Sequence, residues 1–361
     1  MVKFMNPDNK TVIRLPIKVD PVIKTECWMS VNLAIIQACP LGVAWLAAHF
    51  DIFIDNKFII DFGHIDKKFK MMDFNDLLDY SEINYLKVPP NKIIDLLIYE
   101  IENNNYISLF LTHFYLVYGF DKEKNIFNVL LGGKECLFTF SEIEDLYIRY
   151  CELYRNNPDA PDVVELSFFP ITRIKLRESY NTQVLFYEIS KRFRNEIEGK
   201  KYSISEYNGE RFTEPEDYYT GLGCLLIMEV RVFEYIRDKE HLIATKSANE
   251  RAEEMKENFN KLYEHRNVIL MVMKWLVSLY KNVDENIYNA ISIYEECCST
   301  MRMIANMSIK FALKLDWDIL LRMQKILKGE YEKEKEALKS FHSFIYSADA
   351  QRRAQDGIAQ I

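Results

Sequence analysis

The sequence predicts an α+β protein in two parts: a mixed N-terminal domain over residues 1–173 and an all-α helical domain over residues 174–361. Three observations carry this reading. Up to Arg173, short strand-like runs alternate with helical segments, the strongest being the aromatic and β-branched YISLFLTHFYLVYGF (106–120). Beyond it the pattern turns to long helical periods, as in Ala252, Met255, Phe259, Leu262 and Ile269 at 3-and-4 spacing. Between the two rhythms lies the Pro-rich NNPDAPDVVELSFFPITR (156–173), a last strand leading into the boundary.

In chain order, KTECWMSVNLAIIQA (24–38) reads as an apolar helix from Glu26, with Thr25 as its N-cap, and GVAWLAAHF (42–50) as a second helical segment. FIIDF (58–62) is a short strand. The run 106–120 meets the polar turn DKEKN (121–125), after which IFNVLL (126–131) resumes an extended pattern, so a β-hairpin is expected. FTFSEIEDLYIRYCELY (138–154) carries a helix start, with Ser141 as N-cap and Glu144 three residues later. Asn181–Gly199, Pro215–Asp238, Asn249–Lys281, Glu285–Lys314 and Trp317–Tyr346 all read as helices, giving a bundle. VILMVMKWLVSLY (268–280) suggests burial nearly all round the third.

A chain of 361 residues, 49% hydrophobic, can bury a large core without disulfide or metal support. A formal net charge of −8 argues against a general nucleic-acid binder and against docking to an anionic membrane. The seven cysteines include no CxxC pair, and Cys297–Cys298 are neighbours that point apart on a helix, so neither a disulfide framework nor a zinc site follows. MVKFMNPDNKTVIRLP lacks a signal-peptide apolar core and no run approaches a membrane span, so the expected compartment is the cytoplasm.

Cys27 is the first candidate for chemistry. The start of a helix offers unpaired amides and a partial positive charge, both of which favour a thiolate and a neighbouring oxyanion. The other six cysteines read as inert core thiols. A thiol also needs an imidazole beside it and a third group to hold that ring's tautomer. Of the six histidines, His241, His265 and His342 read as solvated and His49 as a satisfied core residue, while His64 lies in a turn. His113 interrupts an apolar strand-forming run and must find a buried partner or face a cleft. Asn128, the polar side chain within IFNVLL, follows 15 residues later across the expected hairpin.

The order Cys27–Trp28 on a helix, His113 with Gly119 six residues on, then an Asn on the next strand, resembles the papain-like cysteine peptidase superfamily. HFYLVYGFDKEKNIFNV is similar to its bacterial branch of bacteriocin-processing peptidases and butirosin-type or closthioamide-pathway transacylases. The motifs cover residues 24–40 and 105–150; the helical half matches in layout. The resemblance implies a papain-like N-terminal domain with Cys27 and His113 as catalytic residues, and with either Asn128 as the third member through a shifted register or a Cys–His dyad. It departs from the family at Pro21, where papain-like peptidases carry an oxyanion glutamine, and at Leu131, where the bacterial relatives usually end the strand with Asp.

That resemblance implies a transacylase of natural-product biosynthesis. It would take an acyl or peptidyl chain from a carrier-protein thioester, on the phosphopantetheine arm, through acyl-Cys27 to a small amine, with no metal or other cofactor. The partners implied are an acyl or peptidyl carrier protein and the amine, with the helical half as lid or amine pocket and its self-association left open. A cysteine peptidase or amide hydrolase and a non-catalytic binding module are the alternatives. KRFRNEIEGKK (191–201) reads first as a solvated helix face and second as a carrier-docking patch; the glycines of 131–133 and 221–223 lack phosphate-loop spacing.

Overall fold

A computed structural model describes residues 11–24, 27–39, 42–55, 58–64, 70–71, 74, 77–83, 88–110, 113–156, 171–177, 185–207, 210–245, 247–280 and 282–347. The chain forms two compact units: Met1–Gly42 with Phe74–Tyr180, and Val43–Asp73 with Asn181–Ile361. A single boundary after Arg173 assigns residues 43–73 to the first part. The contacts give that excursion to the unit of long helices.

In chain order the described elements begin with β1 (Val12–Arg14), α1 (Cys27–Ile36), α2 (Gly42–Ala47), β2 (Ile52–Ile54), β3 (Ile60–His64), β4 (Lys70–Met71) and β5 (Leu78–Glu82). A short 3₁₀ turn (Pro90–Lys92) leads into α3 (Ile93–Glu102), β6 (Tyr106–Phe110), β7 (Phe114–Asp121), β8 (Ile126–Leu131), β9 (Lys134–Thr139), α4 (Phe140–Asn156) and β10 (Ile171–Leu176). Then follow α5 (Leu185–Glu198), β11 (Lys201–Tyr207), β12 (Glu210–Thr220), α6 (Leu222–Arg237), α7 (Lys239–Ala244), α8 (Ala248–Ser278), α9 (Glu285–Lys314) and α10 (Trp317–Tyr346).

The first unit is built on an antiparallel sheet ordered β5-β10-β6-β7-β8-β9, with β1 continuing the β6 side of β7. All eight residues of β7 are buried, which is why its stretch of sequence is a continuous apolar run rather than an alternating one. The run 106–120 is two strands, not one, and His113 sits at the bend that opens the second. Asp121 accepts the amides of Glu123 and Lys124 at 3.0 Å each and fixes the β7–β8 turn. Helix α4 starts on a reciprocal capping box, two residues earlier than the sequence suggests. Thr139 Oγ1 accepts the Glu142 amide (3.2 Å), and the Glu142 carboxylate accepts the Thr139 amide (2.7 Å).

Gly119 is required by close approach. A Cβ there would lie 2.7 Å from the Ile13 carbonyl oxygen and 3.1 Å from Arg14 Cα, so β1 could not keep its place on β7. Gly119→Ala is expected to cost about 1–3 kcal/mol, read as a lower midpoint in urea unfolding.

The second unit is not all helical. Its five-stranded antiparallel sheet, β11-β12-β2-β3-β4, joins a hairpin from the C-terminal half to the excursion 43–73. Pro215, expected at a helix start, lies in β12 where the ladder slips between the Ile204–Glu216 and Glu206–Arg211 pairs. An imino nitrogen costs no ladder bond at such an irregularity. Gly221 (φ 52°) turns the chain from β12 into α6; a Cβ would meet the Glu196 backbone at 2.6 Å, so this glycine serves packing against α5. Helices α9 and α10 span the residues the periodicity indicates, and the stripe Ala252, Met255, Phe259, Leu262 and Ile269 on α8 is buried. No described helix is long and apolar enough to cross a membrane.

Candidate active site

Cys27 is the first residue of α1 and its thiol is free and exposed; Thr25 and Glu26 lie outside the described residues. The helix behind it is almost wholly buried from Met29 to Ile36, so α1 is held rigidly while its first residue faces out. The first turn carries no acidic side chain, so no carboxylate of its own opposes an anion there.

Trp28 fixes where that helix start lies. Its ring packs on Phe114, the first residue of β7, with centroids 5.1 Å apart, and on Tyr80 of β5 at 5.6 Å. Asn32 ties the same corner: its Nδ2 donates to the Trp28 carbonyl (2.9 Å) and its Oδ1 accepts from the Tyr80 hydroxyl (3.0 Å). His113, exposed, immediately precedes Phe114. The residues next to Cys27 and next to His113 are therefore in ring contact.

The segment upstream of α1 is tied to the β8–β9 turn. The Asp20 amide donates to the Gly133 carbonyl (3.0 Å) in the β8–β9 turn, and a Cβ on Gly133 would touch Pro21 and Lys24 at 3.4 Å. Lys24 pairs with Asp20. Pro21 is buried in this packing and has no side-chain donor to offer an oxyanion. The thiol and the ring of His113 are not hydrogen-bonded to each other; catalytic contacts of this kind often tighten only around substrate.

Asn128 does not join them. The β7–β8 register sets it opposite Gly119, and its Oδ1 would lie 3.1 Å from a Cβ there. Gly119 lies six residue steps along the chain from His113, about 20 Å at 3.3 Å per residue. Leu131 stands opposite Tyr115, two residues from His113, and an aliphatic side chain cannot orient an imidazole.

The remaining candidates are placed elsewhere. His49 is a buried residue stacked on Trp45, with Nδ1 2.6 Å from the Trp45 carbonyl. His265, expected in solvent, is fully buried. In the 191–201 stretch, Arg192 is buried against Asp51, Lys200 pairs with Glu198, and Lys201 with Asp217 (2.7 Å), so these three cations are already paired. Burial raises the Cys224 and Cys298 thiols, the latter to about 12, which leaves both inert. Among the described residues no group of three or more His, Cys, Asp or Glu is arranged to hold a metal ion.

No known protein family matches the chain, and no curated protein matches it at a significant level.

Proposed function

We propose that this chain is a papain-like cysteine transacylase that works with a Cys27–His113 pair. The Trp28–Phe114 contact is the observation that supports the reading, because it joins the residue after an exposed Cys27 at a helix start to the residue after an exposed His113 at a strand start. The Cys27 thiolate attacks the carbonyl of a carrier-bound thioester, and the C–S bond to the carrier breaks. The proton that His113 took from Cys27 leaves with the carrier thiol. A small amine then attacks acyl-Cys27, the amide forms, and the thiol regains its proton through His113. Amides at the start of α1, that of Cys27 included, stabilise the oxyanion of each addition. A thioester is already activated, so the sequence of steps needs no ATP.

Exposure of both Cys27 and His113 favours a second reading, hydrolysis, since water has the same access as an amine. Product analysis decides. The chain is incubated with an acyl-carrier thioester, with and without a diamine. The amide product supports transfer; free acid alone in both arms supports the hydrolase; no turnover of any thioester supports a non-catalytic binding module.

A further inference from the structure

The second unit buries an ionic cluster that the proposed reaction does not use. Arg266 and Glu334 form an ion pair at 3.1 Å, and both are essentially without solvent contact. The Tyr294 hydroxyl donates to the same carboxylate at 3.1 Å. Arg266 is thus matched by one carboxylate. Glu196 of α5, 3% exposed, is a second carboxyl in the same interior, and its Oε1 has no hydrogen-bond partner among the described residues.

The nearest basic group to Glu196 is His265, whose Nε2 lies 3.6 Å from Glu196 Oε2 and 2.8 Å from the Phe50 carbonyl oxygen. A carbonyl only accepts, so Nε2 carries the hydrogen and donates it to Phe50. Two acceptors therefore stand on either side of one N–H. A neutral carboxyl competes poorly for it; a carboxylate competes strongly, because charge-assisted hydrogen bonds are about twice as strong as neutral ones.

Phe50 lies in the excursion 43–73, between α2 and β2, and α5 and α8 hold that excursion by its backbone. Arg192 donates to the Ala48 carbonyl (3.0 Å) and pairs with Asp51, while Asn258 Oδ1 accepts the Ile60 amide (3.0 Å). The groups around Glu196 are Arg192 on its own helix, Asp51 from the excursion, Cys224 from α6, His265 and Arg266 from α8, Tyr294 from α9 and Glu334 from α10. The two arginines are each committed to another carboxylate.

We infer that Glu196 is a proton-controlled switch on the His265–Phe50 hydrogen bond: protonated, it leaves the Phe50 carbonyl clamped to α8, and ionised, it draws the imidazole N–H to itself and frees the backbone at Phe50. Burial is the main cause that pushes the Glu196 carboxyl up to about 8, with Glu334 and Asp51 adding to the rise and Arg266 opposing it. Burial and Arg266 hold His265 well below the usual imidazole range, so it is neutral when the switch acts. The folded chain then binds a proton that the unfolded chain loses near 4.5, and the stability it contributes is fullest below that value and is lost as pH rises through about 8.

Hydrogen exchange of the whole chain between pH 6.5 and 9 tests the switch, with rates corrected for intrinsic exchange. Amides of 49–51, around Phe50, should lose at least tenfold in protection with a midpoint near pH 8, while the Ile60 amide, held by the non-titrating Asn258, keeps its own. In Glu196→Gln, the 49–51 protection should persist across the range. Loss of protection in Glu196→Gln as in the native chain, or unchanged protection in the native chain up to pH 9, would overturn the inference. The native-chain arm decides even where the variant folds poorly.

Discussion

His113→Ala should slow acylation of Cys27 by a thioester at pH 7 by about 10²- to 10⁴-fold, the range a positioned general base supplies. The measurement is the rate of acyl-adduct formation under single-turnover conditions. Because the His113 ring is exposed, the substitution should leave the unfolding midpoint nearly unchanged, so that a lost rate reports chemistry and not lost structure. Asn128→Ala supplies the contrast. About 20 Å of strand separates its position from His113, so its rate should stay within about twofold of the native one. A large loss in Asn128→Ala with little in His113→Ala would invert the assignment.

Arg266→Gln should cost about 3–5 kcal/mol of folding free energy. The native guanidinium has no solvent contact and its pair with Glu334 is equally dry. Removing it leaves a buried carboxylate without a cation, facing Tyr294 and close to Glu196. The double variant Arg266→Gln, Glu334→Gln should recover most of the loss, because a buried pair replaced by neutral groups of similar shape is close to neutral in stability. Urea unfolding of both single variants and the double gives the coupling directly. Additive losses would show that the two side chains do not act as a pair.

The helical half was legible where one physical rule dominates. Glu285–Lys314 and Trp317–Tyr346 are long amphipathic helices whose ends are fixed by Asp284 and Asp316, each accepting an amide two residues on. Period and cap agree there, and both are local. That Cys27 opens a helix and His113 precedes a strand was legible for a similar reason, since an apolar helix start and a histidine breaking an apolar run are local signals. What was hidden depends on pairing at long range. Residues 43–73 look like part of the first half because they lie within it in sequence, yet their strands bond to β12, some 160 residues on in the chain, as in Tyr219–Ile54. Pro215 suggests a helix start because the slip that accommodates it belongs to the partner strand as much as to its own.

Asn128 failed as a partner for His113 on register alone. A bulge between Val117 and Gly119 and the bend at His113 set where the β7 ladder begins, and neither leaves a mark in IFNVLL. Glu196, His265 and Arg266 were hidden because charged residues on a helix read as a solvated face. Only the packing of α5, α8 and α10 shows that they point inward, where each must be neutralised or paired.

The central claim is that Cys27 accepts an acyl group. Intact-mass measurement of the native chain after incubation with an acyl-carrier thioester should show one added acyl group, mapped to the peptide containing Cys27, discharged on adding an amine and absent from Cys27→Ala. An adduct that persists in Cys27→Ala, or its absence from the native chain with every thioester supplied, would contradict it.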